Sequence, residues 1–252
     1  MAENAFDKID VFEQQSEVGG VWSYSPDIVG KTPVPQTTPN GPPELPIWPV
    51  GAEAPLFSNP MYDRLNTNIP KTLMQYSDQD FLPESLLFAT RQDVQTYLIA
   101  YSQSVRHLIS FATQVEDIRI VSKNGKDAWE VVSRSVITKK EKSVGYDAII
   151  VANGHYSVPF IPEVTGIEAF NEAYPSIIMH SKIYRSPEPL RNKKVIVVGS
   201  AASGLDSSSF SYTQHIGSRK VQGLAAVLEA KHYKQANKYS IVDTVLLCCC
   251  GS

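Results

Sequence analysis

The amino-acid sequence predicts an α/β protein, and three observations support that prediction. Residues 145–152 and 193–198 are nearly continuous apolar runs, which is the pattern of strands buried in a parallel sheet. The second run leads directly into Gly199, so that a strand is followed by a glycine turn and then by a possible helix start. Residues 91–108 carry apolar side chains at helical spacing.

The composition is that of an ordinary globular protein. The 252 residues are 42% hydrophobic and 19% charged, and their formal net charge is −3. A chain of this length can bury one large core or two modest ones. A nucleic-acid partner or a membrane-surface partner usually requires clustered Lys and Arg, so neither is indicated.

The three cysteines are the neighbouring residues Cys248, Cys249 and Cys250. Neighbours in a run cannot form a disulfide framework, and no other His or Cys completes a metal-binding spacing. We interpret them as an incidental tail, with reversible acylation as the weaker alternative. The apolar stretch 245–250 is too short to span a bilayer, and the first residues lack the pattern of a signal peptide. We therefore expect a cytoplasmic protein without a transmembrane segment.

The first elements in chain order are a short strand and a long loop. Residues 8–13 alternate and end on Glu13, which predicts a strand, and Gly19 and Gly20 then indicate a turn. Residues 26–60 are too rich in proline for regular sheet or helix. A flexible linker is one interpretation. We prefer a loop packed over a domain surface, because it carries apolar anchors at Leu45, Ile47, Trp48, Leu56, Phe57, Met61 and Tyr62.

A helix and a hairpin are predicted next. Residues 91–108 place one apolar face along a helix, formed by Val94, Tyr97, Leu98, Tyr101, Val105 and Leu108. Residues 115–121 and 128–134 then read as a β-hairpin around Asn124 and Gly125, which are a favourable turn pair.

The sharpest local motif is VIVVGSAASGLD at residues 195–206. A dinucleotide-binding turn has glycine at its first, third and sixth positions, which here are Gly199, Ala201 and Gly204. Ala201 weakens the match, since the middle glycine lets the backbone approach a pyrophosphate. Ser203 can compensate by capping a helix whose N-terminal amides attract phosphate. The alternative is a strand–turn–helix motif that serves packing alone.

Glu13 is the second candidate for nucleotide binding. An acid that closes the second strand of such a fold hydrogen-bonds the adenosine ribose, and Glu13 ends a predicted strand. Taken by itself, it is more simply a solvent-exposed acid.

Read together, these segments resemble the flavin-containing monooxygenases, in particular those of fungal type. The VFE at 11–13 with GGVW at 19–22 is similar to the family's ribose and flavin segment. The family's run of Y, L, TN, PK, M and D is matched by YDRLNTNIPK at 62–71 with Met74 and Asp78. Further matches are the strand and GHY exit at 147–162, the degenerate FxGxxxHxxxY sequence at 174–184, and the turn at 199–206.

This resemblance, which covers residues 6–206, implies a fold. It is a Rossmann-like flavoprotein fold with two dinucleotide-binding domains, here incomplete, and with a small β-hairpin or meander insertion. Residues 1–190 would form the FAD-binding domain and residues 191–206 the start of the NADPH-binding domain. Residues 207–252 form a divergent C-terminal segment.

The resemblance also implies a chemistry. NADPH would reduce FAD, and the reduced flavin would react with O2 to give a C4a-hydroperoxyflavin. That species would oxygenate a soft nitrogen or sulfur nucleophile, a small molecule. Asn68 would be the catalytic positioning residue where flavin and nicotinamide meet, whereas His180 would be structural. The cofactor-binding residues would be Glu13, Gly20, Val21, Trp22, Thr67, Asn68, Ile69, Gly199, Ser203, Gly204, Leu205 and Asp206.

Some parts of the family pattern are not found in this sequence. The opening strand, GxGxxG turn and helix of the flavin domain have no match before Lys8, and the sequence departs from the family after Asp206. We therefore expect a chain truncated at both ends that lacks the amides needed to hold the FAD pyrophosphate. Besides an active monooxygenase, the alternatives are a catalytically inactive remnant with weak or no cofactor binding and a Baeyer–Villiger type of flavin enzyme.

Overall fold

A computed structural model describes residues 6–26, 33–38, 45–123, 125–154, 157–191, 194–199, 203 and 245–249. They fall into two compact units. The first contains the described residues of 6–26, 45–57 and 64–154, and the second contains the remainder. None of the helices in these ranges is both long enough and apolar enough to cross a membrane.

The first unit begins with a short parallel strand pair. Strand β1 (Val11–Phe12) pairs with β2 (Ile109–Ser110), with Val11 opposite Ile109. A backbone bond from Glu13 N to Ser110 O, 3.1 Å long, continues the pairing. The strand predicted at residues 8–13 is therefore confirmed in a shorter form.

Helix α1 (Lys71–Met74) is a single turn, whereas α2 (Arg91–Ser102) is the main helix of the first unit. A capping box begins α2: Asp93 N donates to Thr90 Oγ1 at 3.2 Å, and Thr90 N donates to Asp93 Oδ2 at 2.9 Å. The inner face of α2 buries Val94 and Tyr97 against Phe81 and Ala89. The helix predicted at 91–108 is confirmed, although its last part, Gln103–Leu108, tightens to a 3-10 helix.

Three antiparallel strands follow as a meander, with β3 (Thr113–Lys123) beside β4 (Lys126–Ser135) and β4 beside β5 (Glu141–Tyr146). The predicted hairpin and meander are confirmed. Gly125 takes the turn with a positive φ of 72°, which glycine adopts without strain. Asn124 lies outside the described residues.

The buried parallel strand predicted at residues 145–152 is wrong. Strand β5 ends at Tyr146, and residues 147–154 form no strand. Ile150 is 94% exposed and Val151 is 65% exposed. An apolar run becomes a buried strand only when a neighbouring strand completes its hydrogen-bond ladder, and within the described ranges no strand pairs with residues 147–152.

The second unit contains a separate three-stranded sheet. Its strands are β6 (Ile178–His180), β7 (Lys194–Val198) and β8 (Val245–Cys249), in the order β6-β8-β7. The strand predicted at 193–198 is confirmed as β7, and Val195 is buried. Its predicted parallel pairing is wrong, because β7 runs antiparallel to β8.

Residues 245–249 also depart from the sequence prediction. We expected the cysteine run to belong to a tail, yet β8 pairs with β6 on one side and with β7 on the other. An apolar pentapeptide can fill a gap between two strands wherever the chain returns to it. No local pattern marks that pairing in advance.

The proline-rich segment is a packed loop in part. Gln36 and Ile161 form a two-bond backbone bridge, and Val34 packs against the small core of Ile161 and Ile178 near helix α3 (Ile167–Ala173). Phe57, Met61 and Tyr62 are also buried. The anchor role expected of Leu45 and Trp48 is not seen, since their side chains are 84% and 44% exposed.

Candidate functional site

The segment Thr67–Asn68–Ile69 is attached to the start of α2. Thr67 N donates to Ala89 O at 2.8 Å, and Arg91 N donates to Leu65 O at 3.0 Å. These bonds flank the bridge between Asn66 and Thr90. Beyond Asn68, Lys71 N donates to Leu87 O at 2.7 Å. The backbone on both sides of Asn68 is therefore held by residues at the start of α2 or just before it.

Thr67 is buried, and its hydroxyl donates to the Ile69 carbonyl at 2.9 Å, which tightens the turn around Asn68. The Asn68 side chain itself is exposed, and its amide makes no hydrogen bond with any residue the structure describes. Ile69 is 44% exposed. The turn therefore presents a free amide donor and acceptor beside an apolar side chain.

The second predicted segment is a 3-10 turn at Gly20–Trp22. Gly19 and Gly20 have φ angles of 122° and 52°, which glycine tolerates and other residues rarely adopt. Trp22 N donates to Gly19 O at 3.0 Å. Val21 is 40% exposed, whereas Trp22 packs against the core cluster that contains Ala89 and Tyr97.

The structure thus brings both segments to the beginning of α2. Trp22 contacts the same core cluster whose Ala89 carbonyl holds Thr67. A cavity of about 330 Å³ opens at the Trp22 side of this region, and Arg91 lines it together with Trp22. The Arg91 guanidinium lies 3.7 Å from the centre of the Tyr24 ring, a cation–π contact in its wall.

Glu13 follows β1 in the same unit and is half-buried. Its Oε1 accepts a hydrogen bond from Gln15 N at 2.8 Å. Burial of the carboxyl raises the pKa of Glu13 above its ordinary value, although hydrogen bonds from the Gln15 and Gln14 backbone act in the opposite direction. A carboxyl at the end of a strand that still has lone pairs available is suited to receive hydroxyl donors.

The residues predicted to bind NADPH lie in the second unit. Gly199 directly follows β7 and has a φ of 122°. Ser203 is helical and exposed. Gly204, Leu205 and Asp206 lie outside the described residues. Strand β7 is therefore followed by a glycine with positive φ, and the role of these residues stays a prediction.

The amino-acid sequence of this chain matches that of a known protein family. A family model described as "Flavin-binding monooxygenase-like" matches residues 52–216. The chain belongs to this family. The Rossmann-like flavoprotein fold predicted from the sequence is accordingly the fold of its solved relatives.

Several named flavin-binding monooxygenases are similar to this chain. The flavin-containing monooxygenase FMO GS-OX-like 9 of Arabidopsis thaliana is 31% identical over 210 residues, which are 80% of this chain and 42% of that protein. FMO GS-OX4 of the same plant is 30% identical over 207 residues, which are 79% of this chain and 40% of that protein. This chain therefore spans about two-fifths of the length of these relatives.

Solved structures agree with this relationship. Tmm from Pelagibacter sp. strain HTCC7211 superposes with a TM-score of 0.63 at 29% identity, over 84% of this chain and 43% of that one. A flavin-containing monooxygenase from Stenotrophomonas maltophilia superposes with a TM-score of 0.53 at 19% identity, over 63% of this chain and 44% of that one. At that identity the second similarity concerns the fold alone.

The family's HxxxY sequence lies in a buried part of the second unit. His180 is 2% exposed, and its Nδ1 accepts a hydrogen bond from Lys182 N at 3.0 Å. Tyr184 is also buried, with its ring centre 5.6 Å from that of Tyr62. These contacts agree with the structural role expected of His180.

Arg185 was not singled out from the sequence as a site residue. Its Nη1 donates to the carbonyls of Met61, Lys182 and Tyr184 at 3.0, 2.9 and 2.9 Å. Its Nη2 donates to Asn59 O at 3.0 Å. One side chain thus joins residues 59–61 to the HxxxY segment. No local spacing signals the link to residues 59–61, since Met61 and Asn59 are 124 and 126 residues from Arg185.

Proposed function

We propose that this chain forms part of a flavin-dependent monooxygenase that uses FAD, NADPH and O2 to oxygenate a soft nitrogen or sulfur nucleophile. One observation carries the proposal: the turn Gly20–Trp22 and the segment that carries the exposed Asn68 are both attached near the start of α2, Trp22 through the core cluster that contains Ala89 and Thr67 through its hydrogen bond to Ala89 O. Bound flavin, reduced by NADPH, supplies the reaction with O2 that no amino-acid side chain can perform.

Asn68 is the residue to which we assign the positioning of the reacting groups. Its free amide offers two N–H donors and one carbonyl acceptor, which suits contact with the polar edge of a flavin or a nicotinamide. Thr67 holds the turn from inside, and Ile69 presents an apolar surface next to Asn68. An apolar surface limits the access of water to the reacting groups.

Glu13 is the proposed ligand of the adenosine ribose. Ribose has two adjacent hydroxyl donors, and a carboxylate has two acceptor oxygens. Gln15 N already orients Oε1, so the carboxyl is fixed before ligand arrives. Gly20, Val21 and Trp22 complete the flavin contact, while Gly199, Ser203, Gly204, Leu205 and Asp206 are proposed for NADPH. In this proposal residues 1–190 form the FAD-binding domain, residues 191–206 begin the NADPH-binding domain, and residues 207–252 form a divergent segment.

A second candidate function is that of a catalytically inactive relative with weak or no cofactor binding. It is favoured by Ile150 and Val151, whose exposed side chains follow β5 where a buried strand was predicted. A flavin domain with an unfilled sheet would bind its cofactor poorly, because the loops at the ends of the strands would not be held in place.

Both candidates can be separated with the purified 252-residue chain. After incubation with FAD and removal of the free cofactor, the visible spectrum reports bound flavin. The active candidate predicts flavin close to one per chain, and O2 consumption with NADPH that yields an oxygenated thioether or tertiary amine. A protein that is colourless after incubation with saturating FAD and removal of the free cofactor would contradict the active candidate and support the inactive one.

Asn68→Ala and Asn66→Ala form a matched pair for the same assay. Both asparagines are exposed and only two positions apart, and each substitution removes one side-chain amide. We expect Asn68→Ala to lower the yield of oxygenated product about 10²-fold, the scale of losing a well-placed polar contact. Asn66→Ala should retain the yield. Equal effects of the two substitutions would exclude a specific role for Asn68.

A further inference from the structure

The side chain of Gln95 reaches from α2 to the glycine turn that precedes Trp22. Its Nε2 donates to the carbonyl of Val18 at 2.5 Å, across 77 residues of sequence. Gln95 lies one turn beyond the capping box of α2, and the capped end of the helix fixes its backbone. The hydrogen bond therefore attaches a glycine turn to a capped helix.

The turn is shaped to admit this side chain. A Cβ atom on Gly19 would lie 2.6 Å from Gln95 Oε1 and 2.7 Å from Nε2, which is closer than non-bonded atoms approach. The φ of 122° at Gly19 separately requires glycine. Because Val18 offers only a carbonyl oxygen here, the amide of Gln95 must present Nε2 to it, and Oε1 faces Gly19.

Gln95 Oε1 is buried, and it has no hydrogen-bond partner within the described ranges. Buried acceptors of this kind are rare, and one is tolerated only where the geometry around it serves another purpose. Here the purpose is the close approach of α2 to the turn.

Two further contacts hold the same segment. Arg106 Nη1 and Nη2 donate to the two oxygens of Glu17 at 2.6 and 2.8 Å. Gln15 Nε2 donates to Gly20 O at 3.0 Å. Glu17 Oε1 also accepts a hydrogen bond from Val18 N at 2.8 Å, so Glu17 holds the N–H of Val18 and Gln95 holds its carbonyl.

We propose that Gln95 is a positioning residue that sets the conformation of the turn from Gly19 to Trp22. This inference rests on the proposed function only in one respect, namely that the turn so positioned is the one that meets the flavin. We assign Gln95 a role through the turn because its Nε2 donates to Val18 O.

The test is hydrogen exchange of the full chain without flavin, resolved by mass spectrometry of peptides. Gln95→Leu removes the hydrogen bond to Val18 O and replaces the amide with an apolar side chain of similar size. Gln92→Leu is the matched control, because Gln92 lines the same cavity from the same helix but is exposed and makes no hydrogen bond with the turn in the described part of the chain.

In Gln95→Leu we expect the amides of residues 18–22 to exchange about tenfold faster, which is the effect of losing one hydrogen bond to an otherwise rigid segment. The amides of α2 should keep their rates, and Gln92→Leu should resemble the unchanged chain. Unchanged exchange at 18–22 would overturn the proposal. A uniform increase over the whole first unit would also overturn it, since Gln95 would then only stabilise the fold.

The affinity for FAD provides the second measurement and separates this inference from the proposed function. If the unchanged chain binds FAD, Gln95→Leu should weaken binding about tenfold and Gln92→Leu should not. If the unchanged chain binds no FAD but exchange at residues 18–22 rises as expected, the positioning role stands and the proposed function fails. If exchange at residues 18–22 is unchanged and FAD binds equally to both variants, the positioning role is wrong while the proposed function stands.

Discussion

The hydroxyl of Tyr97 accepts a hydrogen bond from the backbone nitrogen of Tyr76 at 2.7 Å. The same hydroxyl donates to the carbonyl of Gln79 at 2.9 Å. Tyr97 is 6% exposed, and its ring stacks on Phe81 with centres 4.1 Å apart. One side chain of α2 thereby organises the loop that connects α1 with α2, next to the candidate site.

Tyr97→Phe should lower the free energy of unfolding by about 1–3 kcal/mol, because it leaves two backbone groups of the loop without their partner while the ring packing is kept. Urea unfolding monitored by circular dichroism measures this. Tyr101→Phe is the control, since the Tyr101 hydroxyl is 3.5 Å from Asp78 and its side chain is 39% exposed. We expect no measurable change in the free energy of unfolding of Tyr101→Phe. Equal decreases in both variants would show that the loss is not specific to the Tyr97 hydroxyl.

Thr90→Ala should destabilise the chain by about 1 kcal/mol, because it removes the side-chain half of the capping box that begins α2. The backbone of Thr90 and Arg91 also holds residues 65–67, so exchange of the Thr67 amide should rise in the same variant. Thr96→Ala, at an exposed position inside the same helix, should be neutral or slightly stabilising. A Thr90→Ala variant as stable as the unchanged chain would contradict the capping role.

Arg106→Met should destabilise the chain in a manner that depends on pH and salt. The Arg106 guanidinium lowers the pKa of Glu17 below its ordinary value of 4.5. An acid with a lowered pKa stabilises the fold above its ordinary pKa, and this contribution is lost as the pH falls through the lowered value. The difference between Arg106→Met and the unchanged chain should therefore be largest near neutral pH and vanish in acid.

High salt should reduce the same difference, because both side chains are about one-third exposed and the pair is partly screened. Urea unfolding at several pH values and at two salt concentrations measures it. Arg119→Met serves as the control, since Arg119 pairs with Glu130 on the meander and is 58% exposed. A loss that does not change with pH would mean that Arg106 acts through its packing on Phe111, which lies 4.6 Å away, and not through its charge.

Glu13→Gln should show the opposite dependence on pH. Burial raises the pKa of Glu13, so the charged form is disfavoured in the folded chain, and stability falls as the pH rises through the raised value. The substitution should therefore increase stability at neutral pH and have no effect below the ordinary pKa of 4.5. Unfolding curves for Glu13→Gln and Glu17→Gln measured in parallel at neutral pH test this expectation. Glu13→Gln should raise the free energy of unfolding and Glu17→Gln should lower it, and a change in the same direction for both variants would contradict this account.

The local elements were largely predictable from the sequence. The spacing of Val94, Tyr97 and Leu98 predicts α2, and the pair Asn124–Gly125 between alternating runs predicts β3 and β4. In both cases the signal is local, because a helix face repeats within four residues and a hairpin turn joins neighbouring strands. Five ordered segments read together, from VFE and GGVW to the turn at 199–206, predicted the family, and the match over residues 52–216 confirms it.

The strand pairings were not predictable in the same way. Residues 145–152 and 193–198 are similar apolar runs, yet only the second forms a strand in the described part of the chain. The difference lies in their neighbours: β8 returns from residues 245–249 to pair with β7, and no described strand pairs with Ile150 and Val151. A strand needs a partner for its backbone groups, and composition does not say where that partner comes from.

The sequence by itself therefore determined the order of the segments, the main helix, the meander and the membership in the flavin-binding monooxygenase-like family. Only the tertiary structure decided that Trp22 and the segment of Asn68 are both attached near the start of α2 and that Gln95 and Arg106 hold the segment before Trp22. The physical reason is that these contacts join side chains to groups 77 and 89 residues away. Such contacts follow from packing in three dimensions, and they leave no periodic pattern in the chain.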